Sequence, residues 1–367
     1  MTGTTKPLKP WQKVLRVILI IIICITLAFV AFLGFLTVTE YKPADREPLK
    51  VSGSSSQEIS EGDQITAMTW NIGYGALGDN ADFFMDGGSS VNTADKGRLN
   101  ENMNGITDEI QSVDPDVGFF QEVDQDSTRS HHVDESKMLS NSLSGYNSTF
   151  ATNFKVAWIP YPLPMIGKVS SGIQTFSRYQ IADATRIQLP CPFSWPVRLG
   201  NLKRCLAVNR VKLENSDKEL VLVNLHLEAY DNGEGKKKQT AMLRNILQQE
   251  TEKGNYVIAA GDFNQIFSNV EDPYPVLDGM WKAGAIDVSD FNDSLQFYMD
   301  SSTPSCRSLD RALDTAKSTS PDKFQYYIID GFIVSSNITV DSLQTQDLGF
   351  KDSDHNPVVI KLTLNEQ

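Results

Sequence analysis

The chain has 367 residues and 40% hydrophobic content, enough for one large packed domain or two ordinary ones and too apolar for a disordered chain. Its formal charge is −13, and the first 47 residues carry more Lys and Arg than Asp and Glu, so the remainder is more acidic still. Such a surface repels a long polyanion, which argues against a protein that grips nucleic acid along its length.

Residues 17 to 38, "VILIIIICITLAFVAFLGFLTV", carry no charge, and at helical rise they are long enough to cross a bilayer core of about 30 Å. They are read as a transmembrane helix. A cleaved signal peptide is the alternative, but its apolar region would run to roughly 7 to 15 residues, and no clear small-x-small cleavage site follows. Lys6, Lys9, Lys13 and Arg16 precede the span, whereas Glu40, Lys42, Asp45, Arg46 and Glu47 give a mixed flank. The positive-inside bias therefore places residues 1 to 16 in the cytoplasm and the long C-terminal part outside. Residues 39 to 62, rich in Ser and Gly from residue 48 on, read as a flexible linker. Beyond the span stand Cys191, Cys205 and Cys306, which allow one disulfide, with Cys191 and Cys205 the nearest pair, or three free thiols.

One domain is expected over residues 63 to 365, with no repeat and no second linker. "QITAMTWN" and "DVGFFQEV" read as buried strands, and between them Leu99, Met103, Ile106, Ile110 and Val113 recur at helical spacing. Further strands are expected at "GIQTFS", "RCLAVNRVKL", "ELVLVNLHL", "YVIAAGDF", "YYIIDGFIVS" and "PVVIKLTL". A second helix is expected from about residue 235 to 251, with Met242, Leu243, Ile246 and Leu247 inward. Many strands and few helices predict an α+β domain of packed sheets flanked by helices.

The polar residues at the strand ends share one chemistry. Asn71 follows "AMTW"; Glu122 follows "GFFQ"; His226 lies in "VNLHL"; Asp262 and Asn264 in "GDFN"; Asp330 in "YIID"; Asp354 and His355 in "SDHNP". Carboxylate and amide oxygens suit a hard cation such as Mg²⁺ or Mn²⁺, usually held by one or two carboxylates. The same set holds acid and base groups but no Ser or Cys in a recognisable nucleophile elbow.

In that order, "TWNIG", "QEVD", "NLHL", "GDFN", "IDGF" and "SDHNP" resemble the endonuclease/exonuclease/phosphatase superfamily, whose branches include DNase I, apurinic endonucleases, neutral sphingomyelinases and inositol polyphosphate 5-phosphatases. The resemblance spans roughly residues 63 to 365. It implies a two-sheet β-sandwich flanked by helices, with the site at one end. It implies Glu122 as the main metal ligand, assisted by Asn71, with Asp354 supporting the metal or the histidine. By the same likeness Asp262 orients or deprotonates the attacking water, Asn264 donates to the phosphate oxyanion, and Asp330 holds the imidazole of His355. His226 matches the second histidine of the DNase I and sphingomyelinase branches. The implied activity is hydrolysis of a phosphate ester, aided by Mg²⁺ or Mn²⁺.

A likeness of fold does not choose a substrate. An anchored, acidic, outward-facing domain suits a lipid headgroup or small phosphodiester, and a monomer is expected. An extracellular nuclease, or a catalytically silent anchored binding module, is the alternative. "STRSHHVDES" follows Glu122 directly and would bring Arg129, His131 and His132 toward a substrate, but it reads more simply as a solvated loop. "GEGKKKQ" reads as a solvated helix start, and "NIGYGALGDNADFFMDGG" as a loop beside the site. "VAWIPYPLPMIGKV", residues 156 to 169, reads as a bilayer contact, a lid or a core edge.

Overall fold

The computed structural model describes residues 8–231, 233–313 and 324–367; Lys6, counted above in the basic flank, lies outside them. In chain order the helices are α1 (Pro10–Val38), α2 (Lys96–Val113), α3 (Glu135–Ser142) and α4 (Glu234–Glu252). The strands of the first half are β1 (Arg46–Pro48), β2 (Gln64–Asn71), β3 (Val117–Asp124), β4 (Asn147–Ile159), β5 (Gly167–Ser177), β6 (Ile181–Gln188), β7 (Cys205–Lys212) and β8 (Glu219–His226). The second half adds β9 (Tyr256–Asp262), β10 (Gln265–Phe267), β11 (Gly284–Ile286), β12 (Leu295–Tyr298), β13 (Cys306–Arg307), β14 (Tyr326–Tyr327), β15 (Asp330–Ser335), β16 (Ile338–Thr345) and β17 (Val358–Leu364).

Two mixed sheets form a sandwich: seven strands in the order β1-β6-β7-β8-β9-β15-β12 and six in the order β16-β17-β2-β3-β5-β4. Their facing sides bury Ile65, Ala67 and Phe119 against Leu222, Ile258 and Phe332. The period-two alternation of a strand sends the other side outward, where a helix must cover it. Leu243 and Leu247 of α4 cover Val221, Val223 and Val257. Met103, Ile106 and Ile110 of α2 cover Met68, Trp70 and Phe120. This is the α+β sandwich flanked by helices that the sequence predicts.

Helix α1 is long and apolar enough to cross a membrane. It begins before the uncharged run, at Pro10, where proline's missing N–H costs nothing. The Thr39 N–H and hydroxyl both bond the Phe35 carbonyl at its end. Its last turns touch the domain, with Leu36 buried and Phe32 and Leu33 half-buried.

The linker differs from its expectation. Arg46–Pro48 pairs antiparallel with β6 as an edge strand, Leu49 and Val51 pack against the core, and Ile59 is buried within it. Ser-rich composition misleads here because three spaced apolar residues are enough to dock a chain whose backbone bonds to a sheet edge. Cys191 is exposed, Cys205 and Cys306 are buried, and all are free thiols.

Candidate active site

Sheet register lines up the first three side chains. β8 and β9 run parallel with His226 opposite Asp262, and β9 and β15 run antiparallel with Asp262 opposite Asp330. Directly opposite residues project to the same side, so an imidazole and two carboxylates stand in a row across the sheet. Gly261 permits this register: a Cβ there would lie 1.9 Å from the Leu225 carbonyl oxygen. The second sheet supplies Asn71 at the end of β2 and Glu122 in β3, which pair in parallel beside each other. Asp354 and His355 lie just before β17, tied to the end of β2 by the Ser353 hydroxyl, which donates to the Asn71 carbonyl at 2.8 Å.

Glu122 sits at φ 54° in a bulge between Phe120 and Val123 of β3. The extra residue turns this half-buried carboxylate out of the sandwich. Such a conformation is unfavourable for a residue with a Cβ and marks a position where backbone strain serves side-chain aim.

The groups converge on Asp262. Its Oδ2 lies 3.3 Å from His226 Nε2 and accepts from Asn71 Nδ2 at 3.1 Å, while its Oδ1 accepts from the Asn264 N–H at 2.8 Å. His355 Nδ1 is 2.8 Å from Asp330 Oδ2, which also accepts from the Ser305 hydroxyl at 2.8 Å. The other imidazole nitrogen, Nε2, faces Asp262 Oδ2 at 3.9 Å. Trp70 Nε1 donates to the His355 carbonyl at 2.8 Å and fixes the segment from beneath.

Burial pushes the Asp262 carboxyl up to about 7, with Asp330 adding to the rise. Burial likewise pushes Asp354 up to about 7, and Glu122 adds to it while His355 opposes. Burial works against a charged His355, but Asp330 outweighs it and holds this imidazole well above its usual value. His226 moves the other way: burial, then Arg204 and His355, hold it neutral. The site thus keeps one charged and one neutral imidazole on either side of Asp262.

Asn71, Glu122, His226, Asp262, Asn264, Asp354 and His355 line one cleft of about 420 Å³ at the end of the sandwich. The motif order, the row of strand-end groups and the cleft agree with one further finding: residues 68–355 match the model of the Endonuclease/Exonuclease/phosphatase family. The chain belongs to the endonuclease/exonuclease/phosphatase family. Members hydrolyse phosphate esters and generally depend on a divalent metal. The chain resembles the endonuclease/exonuclease/phosphatase of Beutenbergia cavernae DSM 12333 at 20% identity and TM-score 0.54, over 82% of this chain and 72% of that one. It resembles the human Nocturnin catalytic domain with bound sulfate anion at 19% identity and TM-score 0.50, over 86% and 98%. For truncated TDP2 of Caenorhabditis elegans the values are 14% and 0.50, over 83% and 98%. At these identities the likeness is one of fold. No curated protein matches the chain.

In this member of the endonuclease/exonuclease/phosphatase family the donor set fits a hard divalent cation, since Glu122, Asp262 and Asp354 offer carboxylate oxygens into one cleft. Ligand atoms of Asp262, Asp330 and His355 lie within 4.8 Å of one another, as do those of Cys306, Asp354 and His355; Glu122 belongs to neither group. Asn71, expected to assist the metal, lies between Glu122 and Asp262. Its amide oxygen accepts from the Gly73 N–H at 3.1 Å, and its amide nitrogen donates to both Glu122, at 3.2 Å, and Asp262. It bridges two carboxylates that would otherwise repel. One N–H of the Asn264 amide goes to the Leu227 carbonyl at 3.0 Å, which anchors the residue expected to meet the phosphate.

Two features of this site go beyond the sequence reading. Arg129 is no solvated side chain: it is forked onto buried Asp124 at 2.9 and 3.1 Å, lies 3.7 Å from the centre of the Tyr74 ring, and lines the cleft. His131 and His132 instead bond the Ala94 carbonyl and Asp126. Tyr230 donates to Asp86 at 2.8 Å, and both residues line the cleft although they are far apart in sequence. The position of Arg129 just after Glu122 was the available signal for the first; the second had none. The Gly-rich stretch does lie beside the site, as read, contributing Tyr74 and Phe84 to the wall.

Proposed function

We propose that the protein is a membrane-anchored phosphodiesterase, dependent on Mg²⁺ or Mn²⁺, that hydrolyses a lipid headgroup or small phosphodiester outside the cytoplasm by water attack. The observation that carries this reading is the Asp330–His355–Asp262–His226 row, whose last three members line a cleft that also bears Phe84, Tyr161 and Trp281 on its walls. Glu122 and Asp354 would hold the cation. Bound there, it would supply positive charge against the developing phosphate charge.

The remaining work falls to the chain's own groups. Asp262, aimed by Asn71 and the Asn264 N–H, positions a water and takes its proton. His355, kept charged by Asp330, donates from Nε2 to a phosphoryl oxygen, and the second N–H of Asn264 adds a donor there. His226 Nε2, 3.3 Å from Asp262, gives the proton a route toward the leaving oxygen. The acidic charge of the chain favours a small or membrane-borne ester over long DNA.

The test is a panel of phospholipids, inositol phosphates, nucleotides and plasmid DNA incubated with the full-length protein in Mg²⁺, Mn²⁺ or chelator. Turnover of a lipid or small diester, abolished by chelator, supports the reading. Preferential cleavage of plasmid DNA replaces it with the nuclease. No turnover of any member leaves an anchored binding module. Protease added to intact cells checks the topology: the domain should be removed without opening the cells, and a protected domain would overturn the outside placement.

A further inference from the structure

The rim of the cleft is apolar beyond what a cleft for a small charged ester needs. The β4–β5 hairpin carries "WIPYPLPMI", residues 158 to 166, with Leu163 79% exposed and Tyr161 70% exposed. No charged residue lies between Lys155 and Lys168. Ile159, Tyr161 and Ile166 of this hairpin line the same cleft as His226 and His355. Across the mouth Phe84 meets the Tyr161 ring edge-on at 6.2 Å, and Met85 beside it is exposed. A second loop, uncharged from Leu189 to Val197, holds Trp195, 51% exposed, and exposed Val197.

The end of α1 ties this face to the span. Trp195 Nε1 donates to the Thr37 hydroxyl at 3.2 Å. Glu40, one turn on, pairs with Arg198 at 3.2 Å and Lys203 at 3.1 Å, and Lys203 N–H bonds the Asn153 carbonyl of β4 at 2.6 Å. Lys155 of β4 stands over the Tyr41 ring. The uncharged run of α1 rises about 33 Å, the thickness of a bilayer core, so Thr37 falls at the hydrocarbon edge. Trp195 therefore lies at the headgroup level, where indole and phenol rings concentrate.

We propose that the β4–β5 hairpin tip, the Trp195–Val197 loop and Met85 form one surface that seats in the outer leaflet of the bilayer entered by α1, so that the cleft receives lipid-linked phosphodiesters without their leaving the membrane. The inference rests on the anchored reading given above. Continuity with the span selects lipid as the occupant over a protein partner or a second copy. An exposed apolar patch of this kind needs a partner, and the bilayer lies against its edge.

The test uses the full-length protein reconstituted in phosphatidylcholine–phosphatidylglycerol vesicles. Leu163→Cys, in a Cys24→Ser and Cys191→Ser background, is labelled with an environment-sensitive fluorophore; Asp217→Cys, in the turn at the opposite end of the β7–β8 hairpin, serves as the control. The surface is supported if the label at 163 shifts to the blue and is quenched by nitroxide-labelled lipid while the label at 217 is not. A label at 163 as water-exposed as that at 217 would overturn it. So would shielding that fades on dilution of the protein among vesicles, which would assign the face to a second copy. As a second readout, Leu163→Asp should slow hydrolysis of vesicle lipid by roughly tenfold, the loss of one apolar anchor, while leaving a soluble aryl phosphodiester unchanged. Equal loss on both substrates would overturn the proposal. Failure of the wild type to cleave any lipid would count against the substrate and not the surface, because the fluorescence reads contact alone.

Discussion

Asp330 and Asp262 are direct cross-strand partners of β15 and β9, and the imidazole of His355 lies between them, Nδ1 at 2.8 Å from the first and Nε2 at 3.9 Å from the second. The imidazole is thus held on one side and presented on the other. His355→Ala or Asp262→Asn should lower kcat by a factor on the order of 10² to 10⁴, and the double variant should be little worse than the poorer single one. Asp330→Asn should cost less, since the ring loses its orientation and not its presence. Turnover and melting temperature measured together decide the matter: full activity in a well-folded His355→Ala protein would remove the dyad from the reaction.

Glu122 should be essential for the divalent cation. Glu122→Gln preserves the shape of the side chain while removing its charge, so turnover should collapse and the rise in melting temperature on adding Mg²⁺ or Mn²⁺ should shrink. Calorimetric titration of the variant with Mn²⁺ reads the affinity directly; an unchanged value would move the metal to another carboxylate.

Arg129 neutralises a fully buried carboxylate. Arg129→Met should lower stability by about 3 to 5 kcal/mol in urea unfolding, because Asp124 is left uncompensated beside Glu135, whose carboxyl is already pushed up by burial and by Asp124. Arg129→Lys should recover part of that loss, having charge without the fork. A variant of undiminished stability and lost activity would instead place the guanidinium on the substrate.

The ion pair at the end of α4 sets an acid limit on stability. Burial would raise the Glu250 carboxyl, but donors from Arg210, at 2.6 Å, Lys253 and Asn255 outweigh it and hold it down to about 2. A carboxylate depressed in the folded state stabilises above its unfolded value of about 4.3, and that contribution is lost as pH falls from there through about 2. Glu250→Gln should therefore melt well below the wild type at pH 7, with the gap closing toward pH 2. Melting curves across that range check the sign, and a gap that widens with acid would contradict it.

The strands that carry the site were legible because they are central. β2, β3, β8 and β9 are buried on both faces, and their apolar runs stop abruptly at the reactive residue. β4, β16 and β1 are sheet edges with mixed or exposed patterns, and their sequences carry a weaker signal. The Asp86–Tyr230 pair joins distant loops, which no local pattern encodes, whereas Arg129 is forked onto Asp124 only five residues away and its burial comes from packing on Tyr74. The amide orientation of Asn71 is likewise a tertiary outcome, set by the Gly73 N–H in a left-handed turn whose extra Cβ would meet Leu77 and Asp354.

The pairing of Arg46–Pro48 with β6 also changes the reach of the domain. A free segment from residue 39 to 62 would extend to roughly 80 Å when stretched, but only residues 39 to 45 separate α1 from β1, a leash of roughly 24 Å. With α1 in a bilayer, such a leash confines the catalytic end to its own membrane and withholds it from an apposed one. Encounters then come by lateral diffusion, and turnover should follow the surface density of substrate, falling when inert lipid dilutes it at constant bulk concentration.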